Sequence, residues 1–179
     1  MTDPLPYRIS VLCYLFDGDG RILLIHRCKP PNLHLYSPIG GKLDQTTGES
    51  PTACAIREIH EEAGVMLQAP DLRLAGLVSE TAYLGEAHWL MFLYDVVRPV
   101  SVPERDFREG RLEWHELDTV SALAIPQTDR HVIWPLYLKY REQFFMAHID
   151  CHEESLEWRI EQPTEDAGET GVVKMISPG

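Results

Sequence analysis

The stretch from Ser50 to Gly64 constrains this chain more than any other, because it carries two helix ends and a polarised middle. Ser50 offers a side-chain oxygen to the unpaired N–H groups of a first turn. Pro51 suits the first helical position, and Gly64 can close the end in the left-handed conformation, so the spacing predicts a helix over 51–63. At about 100° per residue, Glu58, Glu61 and Glu62 fall on one face, and Ile56, Ile59 and Ala63 fall on the other. Such a helix buries one stripe and sets three carboxylates opposite it.

Like charges at this spacing repel one another. Hard divalent cations relieve the repulsion, since Mg²⁺ and Mn²⁺ prefer oxygen ligands; the plainer alternative is a solvated acidic face. Arg57, four residues before Glu61, is placed to orient it by hydrogen bonding. The acidic excess is general. Sixteen basic residues against 28 acidic ones give a formal charge of −12, and no Lys/Arg cluster offers a grip on a nucleic-acid polymer. An acidic chain can still hold a polyanion when divalent cations sit between the two.

With 44% apolar residues in 179, the chain has enough for one hydrophobic core, which rules out wholesale disorder. No apolar run approaches the roughly 20 residues that span a bilayer. Met1-Thr-Asp-Pro does not read as a secretory leader, so the expected compartment is the cytoplasm. Cys13, Cys28, Cys54 and Cys151 lack metal-ligand spacing and read as reduced thiols.

Residues 7–16 and 21–27 read as two strands of a hairpin around Asp17-Gly-Asp-Gly20. A calcium loop there is excluded, because the positions needing Gly and Glu hold Ile22 and Cys28. A proline-bearing loop leads to Ser37-Pro-Ile-Gly-Gly-Lys42, whose adjacent glycines let backbone come close to a ligand. Beyond the helix, 65–67, 72–83 and 87–97 read as strands, the last two paired through Gly85. Residues 100–110 read as a charged loop, 111–115 as a short strand and 116–123 as a short helix. A second substantial helix is expected over 129–143, with Pro135 permitting a kink or a late start. Strands at 144–149 and 156–160 complete one domain over 1–161. Residues 162–179, polar and aperiodic, read as a linker-like or loosely docked tail. Strands mixed with two helices point to an α/β sandwich.

Together these residues resemble the Nudix hydrolase family, whose box runs Gly, five residues, Glu, seven residues, Arg-Glu-(aliphatic)-x-Glu-Glu-x-Gly-(aliphatic). Glu49, seven residues and then Arg57-Glu58-Ile59-His60-Glu61-Glu62-Ala63-Gly64-Val65 match throughout. Gly41 is the departure: seven residues separate it from Glu49, which reads as a two-residue insertion in the loop over 44–48. The resemblance implies an α/β/α sandwich with a mixed β-sheet between helices. It implies Mg²⁺ or Mn²⁺ held by Glu58, Glu61 and Glu62 with the Gly41 carbonyl, and Glu49 and Arg57 orienting those ligands. The implied reaction is hydrolysis of a nucleoside diphosphate linked to another group, such as a nucleoside triphosphate or modified purine nucleotide. ADP-ribose, a nucleotide sugar, or a non-catalytic nucleotide sensor on the same fold are the alternatives.

Glu61 and Glu109 are both candidates for the general base, and Glu104 and Glu113 compete with Glu109. Arg27 and Lys42 flank the glycine loop within reach of phosphates. The segment Pro126-Gln-Thr-Asp-Arg130 with Trp134-Pro-Leu resembles the part that faces the base in the branch acting on oxidised purine triphosphates, making Asp129 a candidate for a purine edge. A helix first-turn acid is the plainer reading of Asp129. Tyr36, Tyr83 and Trp89 are candidates to stack on a base. The expected partner is a small-molecule nucleotide, with neither membrane nor nucleic-acid polymer; a homodimer is a reasonable expectation.

Overall fold

In the computed structural model, which describes residues 4–30, 32–152 and 154–174, the two helix ends are built as their sequence dictates. The Ser50 hydroxyl accepts the Ala53 N–H at 3.2 Å. Helix α1 runs Pro51–Ala63 to a left-handed Gly64, whose N–H returns to the His60 carbonyl. Cys54, Ala55, Ile59 and Ala63 are buried along it, and Glu62 is buried with them. The acidic face is therefore not simply a solvated one.

The strands are β1 (Tyr7–Tyr14), β2 (Ile22–Arg27), β3 (Tyr36–Ser37), β4 (Leu72–Tyr83), β5 (Ala87–Val96), β6 (Arg105–Phe107), β7 (Gly110–His115), β8 (Phe145–Cys151), β9 (Ser155–Gln162) and β10 (Thr170–Lys174). One sheet has the order β1-β5-β4-β8-β9-β10. It is mixed: β8 runs parallel to β4, with Gly76 opposite Phe145, while β9 is antiparallel to β8 and β10 to β9. The second sheet, β3-β2-β7-β6, is antiparallel throughout. The expected α/β class with a mixed sheet is observed; the second sheet is an addition to it.

Among the described residues the chain divides into two compact units. One holds 11–74 and 93–126, and with them α1 and the four-stranded sheet. Its core includes Val11, Cys13, Leu23, Ile25, Ile59 and Leu112, each fully buried. The other holds residues up to 10, 75–92 and those from 127 on, with a core built on Val78, Tyr137, Phe145, Ala147 and Ile149.

Four expectations are corrected. The turn at Asp17 forms, its carboxylate accepting the Asp19 and Arg21 N–H groups, but β1 and β2 belong to different sheets, and the hairpin pairing is confined to the residues next to the turn, with the Phe16–Ile22 bridge and the Leu23 N–H donating to the Leu15 carbonyl. Ile22, Leu23, Leu24 and Ile25 are at most 2% exposed, so β2 has two apolar faces to bury and takes β3 and β7 as neighbours. Residues 65–67 form no strand. The second helix is shorter than expected: Asp129–Ile133 form a π-helical turn, and α2 runs only Trp134–Lys139. Pro135 has no N–H to give the carbonyl one turn back, which favours the wider turn before it. The tail is not linker-like. Val172 of β10 lies opposite Glu157, Lys139 reaches Glu169 at 2.9 Å and Asp166 at 3.4 Å, and the Tyr140 hydroxyl bonds Asp166. Its charged residues hid a strand whose contacts are mainly polar. Among the described residues, no helix is long and apolar enough to cross a membrane.

Candidate active site

Arg57 is the hub of the acidic helix. Its Nε and Nη2 donate to the two oxygens of Glu49 at 2.8 and 2.9 Å, a paired geometry that fits a planar guanidinium to a carboxylate. Nη1 donates to Glu58 Oε1 at 2.6 Å and to Glu61 Oε2 at 3.5 Å, while Nη2 also reaches the Lys42 carbonyl at 3.2 Å. One side chain thus ties α1 to the glycine loop. The hydrogen bonds from Arg57 hold Glu49 down to a pKa of about 2. Residues 44–48 form a turn closed by Asp44, which accepts the Thr46 N–H and hydroxyl.

The three glutamates of the acidic face have different surroundings. Glu61 is exposed, with 58% of its side chain open to solvent. Glu58 lies half-buried against Gly41; burial raises its pKa, and the bond from Arg57 offsets part of that rise. Glu62 is 5% exposed, its Oε2 accepting the Gly40 N–H at 3.1 Å. Burial lifts the Glu62 pKa to about 8, opposed by the Gly40 bond and by Arg27, and reinforced by Glu58 and Glu109. Among the described residues no three His, Cys, Asp or Glu side chains converge as a closed ligand set; Arg57 and Gly40 hold the carboxylates instead. Hard oxygen donors with unrelieved burial are nevertheless what a divalent cation compensates.

The glycine pair is needed for space. Gly40 sits at φ 156°, where a Cβ would meet the Val11 carbonyl. A Cβ on Gly41 would overlap the Glu58 carboxylate, so the missing side chain is the cradle for that acid. The Gly41 carbonyl, expected to face a metal, accepts the Val11 N–H at 2.9 Å and the Cys54 thiol at 3.8 Å. Gly41 thus supplies room for Glu58.

The loop acids separate clearly. Glu104 accepts the Trp114 N–H at 3.1 Å, and Glu113 accepts the Tyr36 hydroxyl at 2.8 Å. Glu109, between β6 and β7, pairs with Arg27 at 3.2 Å, and both lie near enough to Glu62 to shift its titration. Lys42 is exposed. Tyr36 is already stacked, 4.6 Å from His26, and Arg8 lies over the Trp89 ring at 5.4 Å.

Asp129 belongs to the other unit, where it opens the π-helical turn, half-buried and with its pKa raised to about 7 by burial. There it joins Glu80, a residue that sequence reasoning missed. Glu80 lies on β4 at 2% exposure, its pKa raised to about 8 by burial and secondarily by Asp129. Tyr83 lies near both acids, and burial pushes its phenol up as well. The available signal was an acid at the same parity as Val78 on an otherwise inward strand face. Arg105 was also missed; it caps α1 by donating to the Glu62 carbonyl at 2.9 Å.

Residues 6–134 match the family model described as NUDIX domain. That is more than half of the chain, and the chain belongs to the Nudix family. It is a Nudix hydrolase, in a family that typically uses divalent metal ions. Over 118 residues it is 26% identical to Uncharacterized Nudix hydrolase YvcI of Bacillus subtilis, covering 64% of this chain and 70% of that protein. It is 42% identical to an RNA pyrophosphohydrolase of Gluconobacter oxydans over 66 residues, 36% of this chain and 37% of that one. Among solved structures, MutT from Bacillus halodurans aligns with a TM-score of 0.70 at 22% identity, covering 87% of this chain and 99% of that one. The NUDIX domain of Shewanella oneidensis NrtR, complexed with ADP ribose, aligns with a TM-score of 0.61 at 16% identity, covering 79% and 91%.

Proposed function

We propose that the chain hydrolyses the diphosphate linkage of a nucleoside triphosphate or modified purine nucleotide, using Mg²⁺ or Mn²⁺ on the face of α1. The observation that carries this reading is Glu58 and Glu61 held by Arg57, with Glu62 buried on the same helix and accepting the Gly40 N–H. Those three glutamates would hold the cation. When bound, it supplies charge neutralisation between a −12 protein and the diphosphate and lowers the pKa of water for attack on phosphorus. Arg57 keeps Glu58 in place and is itself anchored by Glu49. Glu109 accepts the proton from the attacking water, and Glu61 is the alternative acceptor. Arg27, released from Glu109, and Lys42 meet the phosphates. Asp129 meets the purine edge.

The test is incubation with Mg²⁺ and a panel holding oxidised dGTP, ADP-ribose, nucleotide sugars and a 5′-triphosphorylated RNA, with products separated by chromatography. Release of a nucleoside monophosphate from a purine triphosphate far above the others is expected. Preference for ADP-ribose or the RNA end would overturn the substrate assignment. Saturable binding without turnover would overturn the hydrolase. Glu61→Gln and Glu109→Gln locate the base: the variant that loses turnover by about 10²-fold or more, while still binding nucleotide, identifies it.

A further inference from the structure

Ser79, Thr81, His148 and Asp150 share the face of β4 and β8 opposite to Glu80, since alternate residues of a strand point the same way. The parallel register sets Ser79 against His148 and Thr81 against Asp150. Ser79 Oγ lies 2.7 Å from His148 Nδ1, and His148 Nε2 lies 3.1 Å from Asp150 Oδ1. The same Oδ1 accepts the Thr81 hydroxyl at 2.7 Å, and Arg159 of β9 approaches Asp150 Oδ2 at 3.7 Å. All four side chains in the cluster on β4 and β8 belong to half-buried residues, so solvent reaches this face. None of them belongs to the carboxylate face of α1.

The line of hydrogen bonds has a direction. Burial works to raise the Asp150 pKa, but the bonds from Thr81 and His148 and the Arg159 charge outweigh it and hold the carboxyl below its ordinary range. Asp150 is then an anion that can only accept, so His148 Nε2 carries the hydrogen it gives. In a neutral imidazole this leaves the lone pair on Nδ1, and the Ser79 hydroxyl donates to it. A hydroxyl that donates to a base, itself oriented by a carboxylate, is a nucleophile set for activation, whatever fold carries it. We propose that Ser79 is a covalent acceptor site for acyl groups from aryl esters and thioesters, with His148 as its general base. Ser79 Oγ attacks the acyl carbon as its proton passes to His148 Nδ1. The bond to the leaving oxygen or sulfur then breaks, and that atom takes the proton back from His148. The products are an O-acyl serine and a phenol or thiol, with no change of oxidation state. An open sheet face grips the acyl group only through the new bond, so a lasting ester is expected rather than rapid turnover.

The full chain is incubated with p-nitrophenyl acetate in EDTA, so that metal-assisted chemistry on α1 plays no part, and the acetylated residues are located by peptide mass spectrometry. Ser79 is expected to be acetylated about 10²-fold faster than the exposed Ser101, which serves as the internal reference. His148→Gln removes the base and is expected to bring Ser79 down to the Ser101 rate. Asp150→Asn, whose amide can donate to the imidazole and so favour the wrong tautomer, is expected to slow the labelling by about tenfold or more. Thr81→Val takes a hydrogen bond from the same carboxylate but leaves the relay in place, and is expected to keep the label. A network that serves only to hold the strands together would respond to all three substitutions alike. Labelling of Ser79 no faster than Ser101 in wild type, undiminished labelling in His148→Gln, or equal losses in Thr81→Val and His148→Gln would each overturn the proposal. If His148→Gln does not fold, undiminished labelling in Asp150→Asn overturns it.

Discussion

Gly41 shows how much a missing side chain can decide. Its hydrogen leaves the space that the Glu58 carboxylate fills, at a backbone angle that other residues tolerate. Gly41→Ala is therefore expected to weaken Mn²⁺ binding by about 10–100-fold, read by titration, while the melting temperature stays within a few degrees of wild type. Unaltered Mn²⁺ affinity would contradict the cradle. Glu80 makes a pH prediction. Its folded pKa of about 8 lies above its ordinary 4.5, so the native state binds the extra proton between those values and stability falls as pH rises through that window. Glu80→Leu is expected to flatten this slope in melting curves from pH 5 to 8 and to add about 1–3 kcal/mol at the upper end. A slope equal to wild type would show Glu80 already relieved of its burial. The three glutamates of α1 were legible in the sequence because helical periodicity alone puts them on one side. Glu80 was not: alternation turns it inward, but only the fold brings Thr128 and Asp129 to it.

Local chemistry fixes α1 at both ends, and so the element was readable to its boundaries. Ser50→Ala removes the acceptor for the Ala53 N–H and is expected to cost about 1 kcal/mol in denaturant unfolding. A loss below a few tenths would mean that the first turn is held by its tertiary contacts instead. The second helix was readable in place but not in form, since 3.6-residue spacing does not distinguish an α turn from the wider π turn ahead of Pro135. The strands that went unseen, β3, β6 and β10, are short, and they exist through the neighbours they pair with.

For the whole molecule, ending the chain after Pro163 removes β10, the Lys139 ion pairs with Asp166 and Glu169, and the Gly171 backbone that packs on the Trp158 ring. The truncated protein is expected to melt lower by roughly 5 °C or more. An unchanged melting temperature would show that the last strand adds nothing to stability. The mixed sheet was anticipated from the family resemblance; the split of β1 and β2 between sheets was not, because the turn chemistry at Asp17 is that of a hairpin and only the burial of both β2 faces overrides it. Glu62→Gln tests the carboxylate face most directly, since it can keep the Gly40 bond while removing the charge. Mg²⁺-dependent release of nucleoside monophosphate from the best substrate is expected to fall by about 10²-fold or more with an undiminished melting temperature, and wild-type turnover is expected to vanish in EDTA. A variant rate within about twofold of wild type, or wild-type turnover that survives EDTA, would contradict metal-assisted hydrolysis on α1.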